Sequence, residues 1–465
     1  MRCTKLSLFC FMKSDILIIG AGAAGLMAAY AAAKTLVELG SDASVVVLEK
    51  MPRPARKMMI TGKGRCNFTN LKDWNDFSSH IRTNPNFVKS AFFGFPPQKV
   101  IDFFTLHGMP SVVERGDRAF PCSYKASDVV DTLVNACNGY GVKIVCDAEV
   151  KSIEKSESLF KVVLEDGSAY ISRALILATG GLSYPSTGST GDGYNWAREL
   201  GYKMIPVFPS LTALVPDGYK IREDKSLHID RRTKLSEWGS ALCGIQLKNV
   251  GLQLYIQDIL TEEEFGDLDF TDGGLEGPIG FQISRKAVKA LINGSRVRVM
   301  LDLKYGVSLT ELTTRIKEIW GEIDKDPRSA RLREKERLRI LLGKLMPWEL
   351  IPAFTISHPE IITLERRSRT QTKVWVNLVS IAKALKAWSF DIAGYVGYER
   401  AVVTAGGVDT SQFVAKTMES RLDKGLYMCG ELMDIDADTG GYNLQLAFST
   451  GHLAGESAAK SLLRK

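Results

Sequence analysis

The sequence predicts an α/β fold in which a parallel sheet is interrupted by an inserted β domain and a small helical domain. Three observations predict it. The apolar run Asp15-Ile-Leu-Ile-Ile-Gly-Ala-Gly-Ala-Ala-Gly-Leu26 carries G-x-G-x-x-G between a strand and an alanine-rich helix. A second apolar run, Ser44–Lys50, ends in an acid, Glu49. From 15 to about 205, strand-like and helix-like patterns alternate, as βαβ units require.

The first turn has the composition of a dinucleotide site. Gly20 permits the tight turn, Gly22 lets backbone N–H groups approach a pyrophosphate, and Gly25 lets the helix pack closely, with Ala23 and Ala24 between them. Glu49 stands where such a fold uses an acid for adenosine ribose hydroxyls. The next stretch, Lys57–Asn70, reads as a polar glycine-rich loop. Val142–Val150 and Phe160–Leu164 read as strands of a smaller sheet, the second ending at the Glu165–Ser168 turn; Ala174–Gly181 reads as a buried strand running into a second nucleotide-facing turn. Between about 206 and 300 the pattern becomes short strands punctuated by Pro, Gly and Asp, including Val297–Asp302. Ser308 to about Phe354 is helical, with Leu312, Ile316 and Ile319 in register, and Pro347 and Pro352 end it. Glu365–Arg369 reads as a loop, Val376–Trp388 as a helix, and Lys424–Glu431 with the following glycines and Leu444–Leu463 as strand, loop and helix. The resulting segments are 12–205, the first part of the nucleotide-binding domain; 206–305, the inserted β domain; 306–355, a helical insertion; 356–391, the return through the β domain; and 392–465, the rest of the nucleotide-binding domain.

A formal net charge of +7 is unevenly distributed: 285–373 holds 20 Lys and Arg against 11 Asp and Glu. This fits a solvated helical face, or a surface for RNA or an anionic substrate. Eight scattered cysteines, Cys3, Cys10, Cys66, Cys122, Cys137, Cys146, Cys243 and Cys429, include no C-x-x-C, and five dispersed histidines show no ligand spacing, so no metal site is expected and a reducing cytoplasm fits best. No apolar run approaches the roughly 20 residues that span a bilayer. Met1–Phe11 imitates a signal peptide but runs into the first strand without a small-residue cleavage site; a start at Met12 is expected.

Three glycine-rich turns, at 20–25, 178–181 and 430–443, each follow an apolar strand, so one extended ligand can touch all of them at one sheet edge. FAD meets that demand better than NAD, because its flavin lies far from its adenine. Non-covalent FAD is expected. With one full G-x-G-x-x-G, NAD(P)H has no resident site and is expected only as a transient donor. A helix beginning near Asn443 would aim its positive end at the flavin and stabilise the reduced form. Cys66, beside Lys63 and Arg65, is a candidate thiolate or a packing residue; Tyr442 is a candidate proton donor or a stacking residue.

The chain resembles the BaiN-like (YhiN-type) FAD-dependent oxidoreductases, distant relatives of fumarate reductase and glutathione reductase flavoproteins. The resemblance rests on Ile18–Leu26, Gly62–Asn67, Ala178–Pro185 with Gly188–Asp192, Thr404–Val408 and Gly441–Gln445. It implies a Rossmann-like (GR2-type) FAD-binding domain assembled from both chain ends, with an inserted β-barrel-like domain and a small helical domain. It implies FAD contacts at Gly20, Gly22, Gly25, Glu49, Lys50, Arg65, Cys66, Asn67, Val150, Ala178, Thr179, Gly180, Gly430, Glu431, Gly441, Tyr442, Asn443 and Leu444; Ala23, Ala24, Lys57, Thr61, Gly62 and Gly181 complete the candidate set. The expected activity is hydride transfer between flavin and a small organic substrate, as an NAD(P)H-linked reductase. An amine or hydroxyl oxidase and a flavin-dependent tRNA-modifying protein are the alternatives. No membrane and no obligate protein partner are expected, and nucleic acid is disfavoured. The chain departs from the family at Thr61, where Ser is expected, at Ala437, where Gly is expected, and in Phe270–Pro278, where His and Ser are expected; Asp272 and Glu276 stand in that segment.

Overall fold

Ile16, Leu17, Ile18 and Ile19 are all buried, as a central parallel strand covered on both faces requires. In a computed structural model, which describes residues 11–156, 158–329, 331–366 and 372–463, the strand Phe11–Ile19 pairs in parallel with Val45–Leu48 on one side and Ala169–Leu177 on the other. Val45–Leu48 pairs in turn with Lys143–Val145, and Leu426–Met428 pairs in parallel with the end of Ala169–Leu177. The antiparallel strands Phe160–Leu164 and Val150–Lys155 complete a seven-stranded sheet. Val142–Val150 is therefore not one strand of a smaller sheet: Lys143–Val145 joins the parallel sheet, and Val150 opens the next strand. Strand Phe11–Ile19 already pairs at Phe11, opposite Ala169, while the expectation about the first ten residues lies outside the described residues.

Helix Ala23–Glu38 covers this sheet and is covered by the C-terminal helix Tyr442–Leu463. Gly451 and Gly455, one turn apart, make that crossing close: a Cβ on either would overlap the Ala24 or Ala28 carbonyl oxygen. The loop expected at Lys57–Asn70 begins with a short helix, Arg56–Ile60, and a tight turn, Thr61–Gly64, in which Gly62 and Lys63 take left-handed φ near +60.

By Cα proximity the chain divides into one unit of 1–209 with 402–465 and another of 210–401. The second unit is a closed six-stranded barrel of Leu214–Pro216, Gly274–Glu276, Ile259–Thr271, Gln246–Ile256, Val297–Asp302 and Trp388–Tyr395. Alternation fills its interior: Val297, Val299 and Leu301 face Trp388, Phe390 and Ile392, all buried. The expected boundaries at 205 and 392 move to 209 and 402, since Trp388–Tyr395 pairs with Leu214–Pro216 and closes the barrel. The expected short strands of 206–300 include a long hairpin, Gln246–Ile256 with Ile259–Thr271, and a 16-residue helix, Gly277–Ile292, that punctuation by Gly and Pro concealed. Helices Leu309–Lys325, Glu334–Leu345 and Ile351–Ser357 form the helical part, the first opened by a capping box between Ser308 and Glu311. The helix expected at Val376–Trp388 is shorter, Leu378–Lys386, because Val376 ends one strand and Trp388 starts another. Glu365 and Arg366 end a strand, Ile362–Arg366, where a loop was expected; 367–371 lie outside the described residues. Among the described residues no helix is long and apolar enough to cross a membrane.

Candidate cofactor site

Parallel strands Phe11–Ile19, Ala169–Leu177 and Leu426–Met428 are neighbours, so the turns that follow them meet at one sheet edge. There they wall a cleft within the first unit that spans about 1390 Å³ together with the open solvent at its mouth. Gly20 takes φ +99, and a Cβ on it would come 2.6 Å from the Ala178 carbonyl oxygen. A Cβ on Gly25 would overlap the Gly20 carbonyl oxygen, so Gly25 serves the packing of helix on strand. Gly22 differs: a Cβ there meets nothing within 4 Å, because it faces the cavity. It caps helix Ala23–Glu38 without a side-chain hydrogen bond, and no acid sits in the first turn, which leaves the positive helix end open to an anion.

Glu49 lines the cavity and is fixed from behind: its Oε2 accepts the Ala21 N–H and its Oε1 the Met51 N–H, both at 2.9 Å. Burial lifts its pKa above the ordinary carboxylate range, against the pull of those two N–H groups. Lys50 pairs with Asp192 Oδ2 at 2.6 Å and donates to Thr190. Lys57 donates to Glu431 Oε2 at 2.7 Å and to Ser183; Glu431 Oε1 accepts from Ser183 Oγ and the Thr404 N–H, both at 2.8 Å. Burial pushes Glu431 up, but the Lys57 ammonium and these donors outweigh it and hold the carboxylate ionised. Thr179 Oγ1, on the cavity wall, is buried with no protein partner among the described residues.

Of the sequence-predicted residues, the structure brings together on the cavity Gly20, Gly22, Ala23, Ala24, Glu49, Lys50, Lys57 and Thr61. It adds Val150, Ala178, Thr179, Gly180, Gly430, Glu431, Asn443 and Leu444. Gly25, Gly62, Gly181, Arg65, Cys66, Asn67, Gly441 and Tyr442 do not line it. Gly441 takes φ +95 against the Thr69 carbonyl, and beside it Asn67 Oδ1 is buried without a partner among the described residues. Cys66 is fully buried and burial pushes its thiol up to about 12, the opposite of a reactive thiolate. Tyr442 is buried with its ring 4.3 Å from His80, stacked, and 4.9 Å from Phe77, which makes it a packing residue. Asn443 spends its side chain on the backbone of Ala437 and Asp438. The acidic stretch before it is packed inward: Asp434, Asp436 and Asp438 are buried and held by Asn84, Thr83, and His80 with Arg82.

Sequence reasoning missed Arg56, Asp192, Trp196, Val402, Val403 and Ile435 on the cavity wall and Ser183 and Thr404 behind it. The motifs Ala178–Pro185, Gly188–Asp192 and Thr404–Val408 carried a signal for Ser183, Asp192 and Thr404; the apolar liners had none.

An extended dinucleotide such as FAD fits these residues. The open helix end at Gly22, the half-satisfied carboxylate of Glu49 and the orphaned Thr179 hydroxyl each want a polar ligand group.

Residues 14–457 match the family described as the HI0933-like protein Rossmann domain. The chain is similar to the 3-dehydro-bile acid delta(4,6)-reductase of Clostridium scindens, 31% identical over 444 residues that cover 95% of this chain and 98% of that protein. It is similar as well to the ribosomal RNA dihydrouridine synthase of Haemophilus influenzae, 33% identical over 453 residues, 96% of this chain and 99% of that protein. Among solved structures, the 3-ketosteroid delta1-dehydrogenase of Sterolibacterium denitrificans resembles it at 12% identity and a TM-score of 0.48, covering 97% of this chain and 100% of that one.

Proposed function

Because this chain belongs to the HI0933-like Rossmann-domain family, the BaiN-like FAD-dependent oxidoreductases of its motifs, we propose that it is a FAD-dependent reductase. In this reading it adds a hydride to a carbon–carbon double bond conjugated to a carbonyl in a small organic molecule, with NAD(P)H as donor. The observation that carries it is the single cavity walled by all three glycine turns, with Glu49 at one part of its wall and the start of the C-terminal helix at another. The names of the two relatives, a delta(4,6)-reductase and a dihydrouridine synthase, describe reductions of the same kind of bond in different substrates.

Glu49 would hold the adenosine ribose, and the open end of helix Ala23–Glu38 the diphosphate. Lys57, anchored on Glu431, offsets that carboxylate's charge beside the anionic ligand. Residues Asn443 and Leu444 present the positive end of a 22-residue helix to the cavity, which favours a negatively charged reduced ligand. When bound, FAD supplies the hydride carrier. A reducing cytoplasmic setting suits the free cysteines.

Anaerobic stopped-flow mixing tests the reading. NAD(P)H should bleach the flavin and a conjugated enone such as cyclohexenone should restore its colour. If neither nucleotide bleaches it while an amine or hydroxyl substrate does, the enzyme is an oxidase or dehydrogenase. A second reading, in which uridine in RNA is reduced, is favoured by the Haemophilus relative and by the basic stretch 285–373. Salt-dependent RNA binding, with RNA restoring the colour where small enones do not, would select it.

A further inference from the structure

The segment that lines the cavity at Thr61 closes a tight turn in which the Cys66 N–H donates to the Thr61 carbonyl at 3.0 Å, with partly exposed Arg65 on it. Arg65 thus stands on the surface beside the cavity, and it is not one of its lining residues. Its guanidinium carbon lies 4.5 Å from the Phe120 ring centroid and 4.6 Å from that of Tyr124. Glu114 ties the group together: it accepts from Arg65 Nη2 at 2.6 Å and from the Tyr124 hydroxyl, and Arg118 Nη2 lies 3.7 Å away. The side chains of Arg65 and Arg118 remain 44% and 42% exposed and Tyr124 39% exposed, although Tyr124 must hold φ +54 to sit there. An aromatic residue in the left-handed region is strained, so the rest of the cluster holds it in place. Segments 63–65 and 114–125 hold five basic residues against two acidic ones.

With the one full G-x-G-x-x-G given to FAD, the adenosine half of a nicotinamide donor needs cationic and stacking groups on the surface beside the cavity. We propose that Arg65, Tyr124 and Arg118 form the docking platform for the phosphate-bearing adenosine half of NADPH. The proposal rests on the reading of this chain as an NAD(P)H-linked reductase. Tyr124, already in contact with the Arg65 guanidinium, would stack its exposed part on adenine. Arg65 spends one of its five N–H groups on Glu114 among the described residues, so a forked donor set remains for a 2′-phosphate, which NADH lacks.

The test uses the holoenzyme and follows flavin reduction against NADPH concentration in anaerobic stopped flow. Tyr124→Ala and Arg118→Gln should keep FAD content and visible spectrum. They should raise half-saturating NADPH about tenfold, the worth of one stacking contact for Tyr124 and of one charge-assisted contact for Arg118, and leave the limiting rate within about twofold. Adenosine 2′,5′-bisphosphate should compete with NADPH, and NADPH should half-saturate below NADH. Unchanged half-saturation in both variants overturns the platform. So does a uridine-rich oligonucleotide that competes at lower concentration than the bisphosphate, which would assign the surface to RNA. If neither nicotinamide nucleotide reduces the flavin, the reductase reading falls by itself. The platform is then judged by NADPH fluorescence on the holoenzyme: enhancement weakened in Tyr124→Ala sustains it, and equal or absent enhancement overturns it.

Discussion

At Glu49 two backbone N–H groups fix a carboxylate from behind and leave its remaining lone pairs to the cavity. If Glu49 holds the adenosine ribose as proposed, Glu49→Ala removes the acceptor of its hydroxyls, a loss of about 1–3 kcal/mol, or roughly five- to 150-fold in FAD affinity. FAD retained through gel filtration and read by visible absorbance checks it; unchanged occupancy and melting temperature would sink the ribose assignment. Lys57 and Glu431 are 26% and 19% exposed, so Lys57→Met strands a mostly buried carboxylate and should cost about 1–3 kcal/mol in urea unfolding, discounted for that exposure. Adding Glu431→Gln should recover part of it; full additivity of the two losses would show that the pair does not interact. Cys66 illustrates what a one-dimensional reading cannot weigh. Lys63 and Arg65 are its neighbours in sequence, yet the Arg65 guanidinium lies over Phe120 and Tyr124. The thiol sits in an apolar interior, so native protein at mildly alkaline pH should alkylate at exposed Cys122 and not at Cys66, as peptide mapping would report.

Between elements, the crossing of Ala23–Glu38 and Tyr442–Leu463 depends on two missing side chains. Gly455→Ala drives a methyl into the Ala28 carbonyl and should lower stability by about 1–3 kcal/mol, a drop of a few degrees in melting temperature. A melting temperature equal to wild type would mean that the helices part without cost. The same C-terminal helix carries His452, stacked on Phe95 at 4.3 Å, whose pKa burial depresses to about 4. Between about pH 6.5 and about pH 4 the unfolded chain takes up a proton there that the native state refuses. Stability from this site is thus complete above pH 6.5 and falls with acid by up to about 3 kcal/mol. His452→Gln should flatten that part of the stability–pH curve, and an unchanged slope would remove His452 as its source.

For the whole molecule, the cavity lies in one of two units, so ligand linkage should be uneven. FAD at about 100 times its dissociation constant stabilises the unit that binds it by about 2.7 kcal/mol. Calorimetry with and without FAD should move the transition of the unit formed by 1–209 and 402–465, while fluorescence from Trp388 in a variant whose other tryptophans are replaced by Phe reports 210–401. Equal shifts in both signals would show that the units unfold as one.

The local sequence determined the nucleotide turn, the acid after the second strand and the three strand-to-glycine edges, because a tight turn, a helix end and a buried parallel strand each impose their residue types within a few positions. It also determined that an inserted β region and a helical region interrupt the sheet domain. Only tertiary structure decided that Lys143–Val145 joins the main sheet, that six strands spread over 214–395 close a barrel, and which motif residues turn inward. Glu431 meets Lys57 across 374 positions, and Arg65 is not on the cavity wall while Thr61, four residues earlier, lines it. Pairing partners and burial depend on the sum of long-range packing, and no window along the chain contains that sum.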